Sequence, residues 1–293
     1  MQIPKICFIS ESLNNPSWSA CNFFLDGLKQ ICDNNVIGVK HTENFPSGYD
    51  WYIDVDSART KPPVKNKKTC ALIFDLFDTD CDQSWRLAMA KEADVIMVTN
   101  ECSRKAIRQN NIQTPCFLIT FGIHEKIWHK QQVEKKYDSV FIGNIIRKSS
   151  ARRVGLIENL RKAGYGIVHK HLNCFLEDNA RLINEARIGL EIPNEGYDNF
   201  GIRAMETIAC GLPLLTIKDP IIEKIIPEGL ATYYEPSNLV EKYTEVYKNL
   251  EENTKKADIL RNYFMQKFTY KHIAKRIIKI LNGEYNESEM FCS

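Results

Sequence analysis

The 293-residue chain contains no uninterrupted apolar run approaching the roughly 20 residues a membrane-spanning helix needs; its longest runs are strand-sized. It opens MQIPKICFISES, one short apolar run with no small-residue cleavage site after a long one, so no signal peptide is expected. Ten cysteines occur, but none is spaced as a C-x-x-C pair, which argues against a zinc ribbon or a disulfide framework. Cys7, Cys70, Cys116 and Cys210 sit inside apolar runs, where a free thiol acts as a small buried hydrophobe, and a reducing cytoplasm is the expected compartment. Neither sign of charge dominates. Lys and Arg total 39 against 37 Asp and Glu, a balance unlike that of a nucleic-acid coat or a polybasic membrane binder. Also missing are a G-x-x-x-x-G-K-S/T loop, a G-x-G-x-x-G fingerprint and a G-x-S-x-G elbow, which argues against P-loop nucleotide hydrolysis, nicotinamide chemistry and serine hydrolysis. None of the six histidines pairs at metal-ligand helical spacing.

What is present is an ordinary globular composition, 44% apolar and 26% charged, long enough for two domains. Short β-branched runs alternate with amphipathic segments, the rhythm of βα units on a parallel sheet. Residues 5–10, 35–41, 50–56, 69–77, 93–100 and 114–122 read as strands, with a helix over 17–32. The charged, weakly periodic 123–137 reads as a surface linker. A second series follows: strands at 138–145, 166–172, 187–193 and 213–218, with a further candidate at 230–236, and helices at 150–164, near 176–186 and at 200–211. The tail from Asn238 to Gly283 reads as helical. The expected architecture is α/β, two doubly wound domains, in which ligands sit at the carboxyl ends of the strands.

The most specific stretch is NEGYDNFGIRAMETIACGLPLLTIK, residues 194–218. It holds an acidic turn, a short helix carrying Arg203 and Glu206, a Gly-Leu-Pro reversal and an apolar strand. Asn199, Phe200 and Gly201 can offer backbone N–H groups at a helix start, where the positive dipole end suits a phosphate. Asp198 and Glu206 are separated by seven residues. This pattern resembles the donor-binding signature of GT-B fold glycosyltransferases, glycosyl transferases group 1, and Arg203 three before Glu206 resembles the spore-maturation-type subgroup. The resemblance is strong over 138–282 and weaker before it, where it rests on strand order and the passage TFGIHEKIW.

The resemblance implies two Rossmann-like domains facing across a cleft: 1–136 for the acceptor, 137–268 for the nucleotide-sugar donor, and 269–293 returning toward the first. It implies transfer of a sugar from a nucleoside diphosphate donor, UDP-linked by preference, to a hydroxyl, with neither metal nor cofactor. Glu206 would hold the ribose and Asp198, shorter than the family's commoner Glu, the sugar hydroxyls. After the strand at 138–145, Gly143 makes the turn, and Asn144 stands where the family often has Arg. Charge for the diphosphate then comes from Arg147 and Lys148, or from Arg152 and Arg153; Arg147 ranks above Lys148 because a guanidinium offers two parallel donors.

In the first domain FDLFDTDCD places Asp75, Asp78, Asp80 and Asp82 at or after a strand's carboxyl end. Asp75 is the candidate base toward an acceptor hydroxyl; a divalent metal and simple turn capping are its rivals. Ser10, Ser12, Asn14 and Asn15 stand where relatives carry a glycine-rich loop, and His124 opens the linker. The basic loop RTKPPVKNKK, 59–68, with Trp51, Tyr52 and Trp85 nearby in sequence, raises hydroxymethylated DNA as an acceptor beside a glycan, glycolipid or protein. The acidic pair implies retention of configuration; inversion with Asp75 as base is the alternative. A non-catalytic sugar-nucleotide-binding module and a sugar-nucleotide epimerase are the other two readings.

Overall fold

The computed structural model describes residues 2–10, 13, 19–40, 45–55, 67–74, 83–143, 145, 151–170, 176–193, 201–218 and 222–286. The elements run β1 (Ile6–Ile9), α1 (Ser19–Cys32), β2 (Val36–Val39), β3 (Trp51–Val55), β4 (Lys68–Ile73), α2 (Ser84–Glu92), β5 (Val95–Val98), α3 (Glu101–Gln109) and β6 (Cys116–Leu118). There follow β7 (Tyr137–Ile142), α4 (Ala151–Lys162), β8 (Ile167–Lys170), α5 (Leu176–Asn184), β9 (Ala186–Leu190), α6 (Ile202–Ala209), β10 (Leu214–Ile217) and α7 (Ile222–Ile225). The chain closes with β11 (Thr232–Tyr234), α8 (Leu239–Lys248), α9 (Leu250–Lys267) and α10 (Tyr270–Leu281). No described helix is long and apolar enough to cross a membrane.

Two compact units result, residues 1–122 with 270–293, and residues 123–269. In the first, six parallel strands are ordered β2-β1-β3-β4-β5-β6. β1, β3 and β5 are buried at every position, which explains why their sequences are nearly unbroken apolar runs rather than alternating ones. Asn100 caps α3: its Oδ1 accepts from the Ser103 N–H at 2.7 Å, and its Nδ2 donates to the Phe74 carbonyl at 2.6 Å, so one fully buried side chain ties the helix start to the end of β4. Helix α10 belongs to this unit and packs along α1. The contact is close because Gly27 of α1 lies under the Tyr270 backbone: a Cβ there would come within 2.4 Å of the Tyr270 carbonyl oxygen. Around it Phe24 stacks on Phe74 at 5.7 Å and meets Tyr270 edge-on at 5.1 Å.

The second unit has five parallel strands ordered β11-β10-β9-β7-β8. Its core joins Phe141, Ile188, Leu190 and Leu215 of the sheet with Leu156 and Leu160 of α4 and Tyr243 of α8. The Tyr243 hydroxyl pairs with the Ser139 hydroxyl at 2.8 Å, and Ser139 Oγ donates to the Ile188 carbonyl at 2.8 Å. Tyr243→Phe removes one buried hydrogen bond while keeping the ring, so a loss of about 1 kcal/mol in urea unfolding is expected.

Residues 123–136, a linker by sequence, are pinned to this second unit. Buried Asn184 accepts from the Gln131 N–H at 2.8 Å and donates to the carbonyls of His129 at 3.0 Å and Ala180 at 2.9 Å. Trp128 is buried, and Lys136 pairs with Glu185 at 2.8 Å. A segment tied down at scattered points, by a buried amide, a buried tryptophan, an ion pair and single backbone bonds, has little periodicity to read.

Candidate donor site in the second unit

The strand order of the second sheet reverses between β7 and β9: β8 lies on one side of β7, while β9, β10 and β11 extend on the other. The carboxyl ends of two strands that diverge in this way leave a crevice, the usual ligand position in an open parallel sheet. The residues directly after those ends are Gly143 and Glu191. In the first sheet the corresponding reversal lies between β1 and β3, with Ser10 buried just beyond β1.

At the second crevice four charged side chains converge. Glu206, in the second turn of α6, is 3% exposed and forms an ion pair with Arg203 one turn before it. Among the described residues neither Oε2 of Glu191, which is 5% exposed, nor Nε of Arg203 has a hydrogen-bond partner. Arg153 of α4 donates from Nε to the carbonyl of Ile192 at 2.7 Å and lies over the Phe141 ring, 5.3 Å from its centroid. The Gly143 carbonyl is met by His169 Nε2 at 2.9 Å, and that imidazole stacks on Phe141 at 6.0 Å. The Tyr234 hydroxyl of β11 donates to the Glu191 carbonyl at 2.8 Å, fixing the backbone on which that carboxylate stands.

Gly201 is explained by contact rather than by conformation. Its φ of −77° and ψ of 166° suit any residue, but a Cβ would fall 2.8 Å from Glu191 Oε1. Glycine here lets the carboxylate lie against the start of α6.

Burial pushes both Glu191 and Glu206 up from 4.5 to about 7. Arg153 and Arg203 oppose the rise at Glu191; Arg203 opposes it at Glu206, while Glu191 adds to it. The two carboxyls therefore titrate as a coupled set. Arg203 holds the charge on Glu206, so the proton goes to Glu191, whose free oxygen is costly to bury as an anion. Such groups bind more protons folded than unfolded between about pH 4.5 and 7. They therefore disfavour the folded state increasingly as pH rises through that window, with the full penalty above it. Glu191→Gln is accordingly expected to raise the urea midpoint relative to wild type at pH 8 and to lose that advantage by pH 5, measured as paired unfolding curves.

Of the sequence candidates, Gly143, Gly201, Arg203 and Glu206 are brought to this one crevice, with Arg153 from the alternative basic pair. Asn144, Arg147, Lys148, Asp198, Asn199 and Phe200, and Asp75 in the first unit, lie outside the described residues. His124 starts the turn 124–128, its carbonyl accepting from the Trp128 N–H at 2.9 Å. Trp51 and Tyr52 are buried in the first unit; Lys68 Nζ lies 5.3 Å from the Trp51 ring centroid and the Tyr52 hydroxyl donates to the Pro46 carbonyl at 2.8 Å. Glu191 was missed by sequence reasoning. The signal was a lone carboxylate closing the apolar run of RIGLEIP, where a strand's carboxyl end meets a turn. A cavity of about 210 Å³ opens at the opposite, amino end of the same strands, lined by Lys130, Lys135, Arg187, Leu212 and Pro213 among others. Among the described residues no group of three or more His, Cys, Asp or Glu is placed to hold a metal ion.

The paired parallel sheets are those of the GT-B fold, and residues 146–279, a little under half the chain, match the model of a family described as glycosyl transferase-like. The fold is that of GT-B glycosyltransferases, and residues 146–279 carry a glycosyl transferase-like domain. Among solved structures, the chain is similar to Anabaena HepE in complex with UDP: TM-score 0.61, 11% identity, 95% of this chain and 100% of that one. Sucrose-phosphate synthase from Thermosynechococcus elongatus aligns with TM-score 0.56 and 13% identity over 80% of this chain and 73% of that one. A variant of S. aureus TarM in complex with fondaparinux, alpha-GlcNAc-glycerol and UDP gives TM-score 0.56 and 10% identity over 79% and 55%. No curated protein sequence matches the chain.

Proposed function

We propose that the chain transfers a sugar from a nucleoside diphosphate donor to a hydroxyl acceptor, the donor being seated at the carboxyl ends of β7 and β9. The observation that carries this reading is the buried Arg203–Glu206 pair at the start of α6, beside the strand-order reversal of a glycosyl transferase-like domain. UDP is favoured as the nucleotide because two relatives of the same fold were solved with it. In this reading Glu206, held in place by Arg203, accepts hydrogen bonds from the ribose hydroxyls. Arg147 and Lys148, joined by Arg153, offset charge on the leaving diphosphate, with Gly143 and Asn144 allowing its approach. Backbone N–H groups of Asn199, Phe200 and Gly201 are proposed to bind the phosphate, and Asp198 the sugar. No step is assigned to a metal: cationic side chains and a helix start supply the stabilisation of the developing diphosphate.

Asp75 is proposed to orient or deprotonate the acceptor. Retention of configuration and kinship with the spore-maturation-type subgroup are proposed from the family resemblance that Asp198, Arg203 and Glu206 carry, with inversion by an Asp75 base as the alternative. The acceptor is a glycan, glycolipid or protein, or hydroxymethylated DNA, and the cytoplasm is the proposed compartment. The test is nucleotide release from UDP-, GDP- and ADP-sugars with and without carbohydrate and hydroxymethylated-DNA acceptors. Acceptor-dependent release of one nucleotide is expected. Folded protein that turns over none of them contradicts the proposal, and release of free sugar without an acceptor favours the epimerase reading.

A further inference from the structure

Glu191 has no part in the donor-binding signature, yet it stands directly after the carboxyl end of β9, at the strand-order reversal. Its carboxylate lies against the first residue before α6, where helix N–H groups carry partial positive charge. Two guanidinium groups reached from separate elements act on its charge. Arg153 comes from α4 and is anchored on the carbonyl of Ile192, one residue beyond Glu191. Arg203 comes from α6, two residues after the glycine that touches Glu191 Oε1. One carboxylate oxygen is buried with no hydrogen-bond partner among the described residues, which form no closed network around it. A buried anion that borders two cations and a helix start occupies the place an incoming phosphate would need.

We infer that Glu191 is an internal counter-ion for Arg153 and Arg203, and that binding of a diphosphate donor in this crevice is coupled to uptake of a proton by Glu191. The inference rests on reading the second unit as the donor-binding unit. With both carboxylates ionised, the two guanidiniums and two carboxylates of the cluster sum to zero, and a dianionic diphosphate gains little. With Glu191 neutral the cluster carries one net positive charge: Arg203 stays on Glu206, and the charge of Arg153 is left to face the diphosphate. Glu206 is the worse proton acceptor because Arg203 is bound to it. Among the described residues the other titratable groups near Glu191 are Arg152 of α4, which acts on Tyr234 together with Arg153, and Tyr234 of β11, whose phenol burial holds protonated. Glu191 thus acts through Arg153 as a positioning residue that sets its availability.

UDP-glucose is the suitable probe, since its diphosphate diester keeps a fixed charge between pH 6 and 8.5 while Glu191 changes. Wild type and Glu191→Gln are compared by calorimetry in buffers of different ionisation enthalpy, which counts protons taken up on binding. For wild type, affinity is expected to fall by up to about tenfold per pH unit above neutrality, the slope of one linked proton, with uptake approaching one proton at pH 8. Glu191→Gln is expected to bind about tenfold tighter than wild type at pH 8, to match it near pH 6, and to take up no proton. A merely structural role would shift affinity without altering proton uptake. Equal pH slopes and equal proton counts in the two proteins would overturn the coupling. A ligand-free arm follows the carboxyl ¹³C resonances of glutamate-labelled protein: a titration near neutral pH that disappears in Glu191→Gln is expected, and its absence would overturn the counter-ion assignment. If neither protein binds UDP-, GDP- or ADP-glucose, the donor reading fails, and the ligand-free titration still decides the counter-ion assignment alone.

Discussion

Glu206→Ala is expected to cut acceptor-dependent nucleotide release at sub-saturating donor by about one to two orders of magnitude and to destabilise the second unit at the same time. The first effect follows from the proposed contact: hydrogen bonds to a charged group are each worth roughly 1.5–3 kcal/mol, so donor affinity falls by about one to two orders of magnitude. The second follows from geometry. Glu206 is buried and paired with Arg203, whose side chain is 11% exposed, and removing one partner of a buried pair typically costs about 3–5 kcal/mol. Glu206→Gln separates the two effects, because the amide keeps the volume and a hydrogen-bond acceptor for Arg203. It should fold, as judged by a urea midpoint nearer to wild type than that of Glu206→Ala, and still lose most donor affinity. Wild-type nucleotide release by a folded Glu206→Gln would remove this residue from the donor site.

Gly27→Val carries the largest expected stability effect in the first unit. The added Cβ meets backbone atoms of Tyr270, the carbonyl oxygen at 2.4 Å and its carbon at 2.7 Å, and no rotamer change relieves a clash with backbone. Helices α1 and α10 must separate, loosening Phe23 and Phe24 from the Tyr270 ring. Overpacking of this kind costs about 1–3 kcal/mol where side chains can yield. Here the upper end or beyond is expected, measured as a fall in the urea midpoint with little change in its slope. An unchanged midpoint would mean that α10 does not dock on α1 through this glycine.

Most of the architecture was legible because both sheets are parallel and buried, so each strand announces itself as an apolar run bounded by turn residues. The runs 5–10, 50–56 and 93–100 correspond to β1, β3 and β5, and 213–218 to β10, each strand one or two residues shorter at its ends. Helix α7, four residues long, has no period to detect. The site was legible where chemistry follows a local spacing, as at Arg203 and Glu206 in one helix. Glu191 and Arg153 were harder. Arg153 was one of two basic pairs, and only its bond to the Ile192 carbonyl turns it toward β9. Glu191 stands alone in sequence and gains meaning from the strand order β9-β7-β8, which is a property of the sheet rather than of any window of residues. Gly201 reads in sequence as a turn residue; its role as a gap for a carboxylate depends on that same arrangement.

The central claim is that the donor seat lies at the carboxyl ends of β7 and β9, and hydrogen-exchange mass spectrometry with and without saturating UDP-glucose tests it most directly. Protection is expected in peptides covering the end of β7 with the start of α4, and the end of β9 with α6. Protection confined to the first unit, or to the Lys130, Lys135 and Arg187 cavity at the amino ends of the strands, would contradict the account.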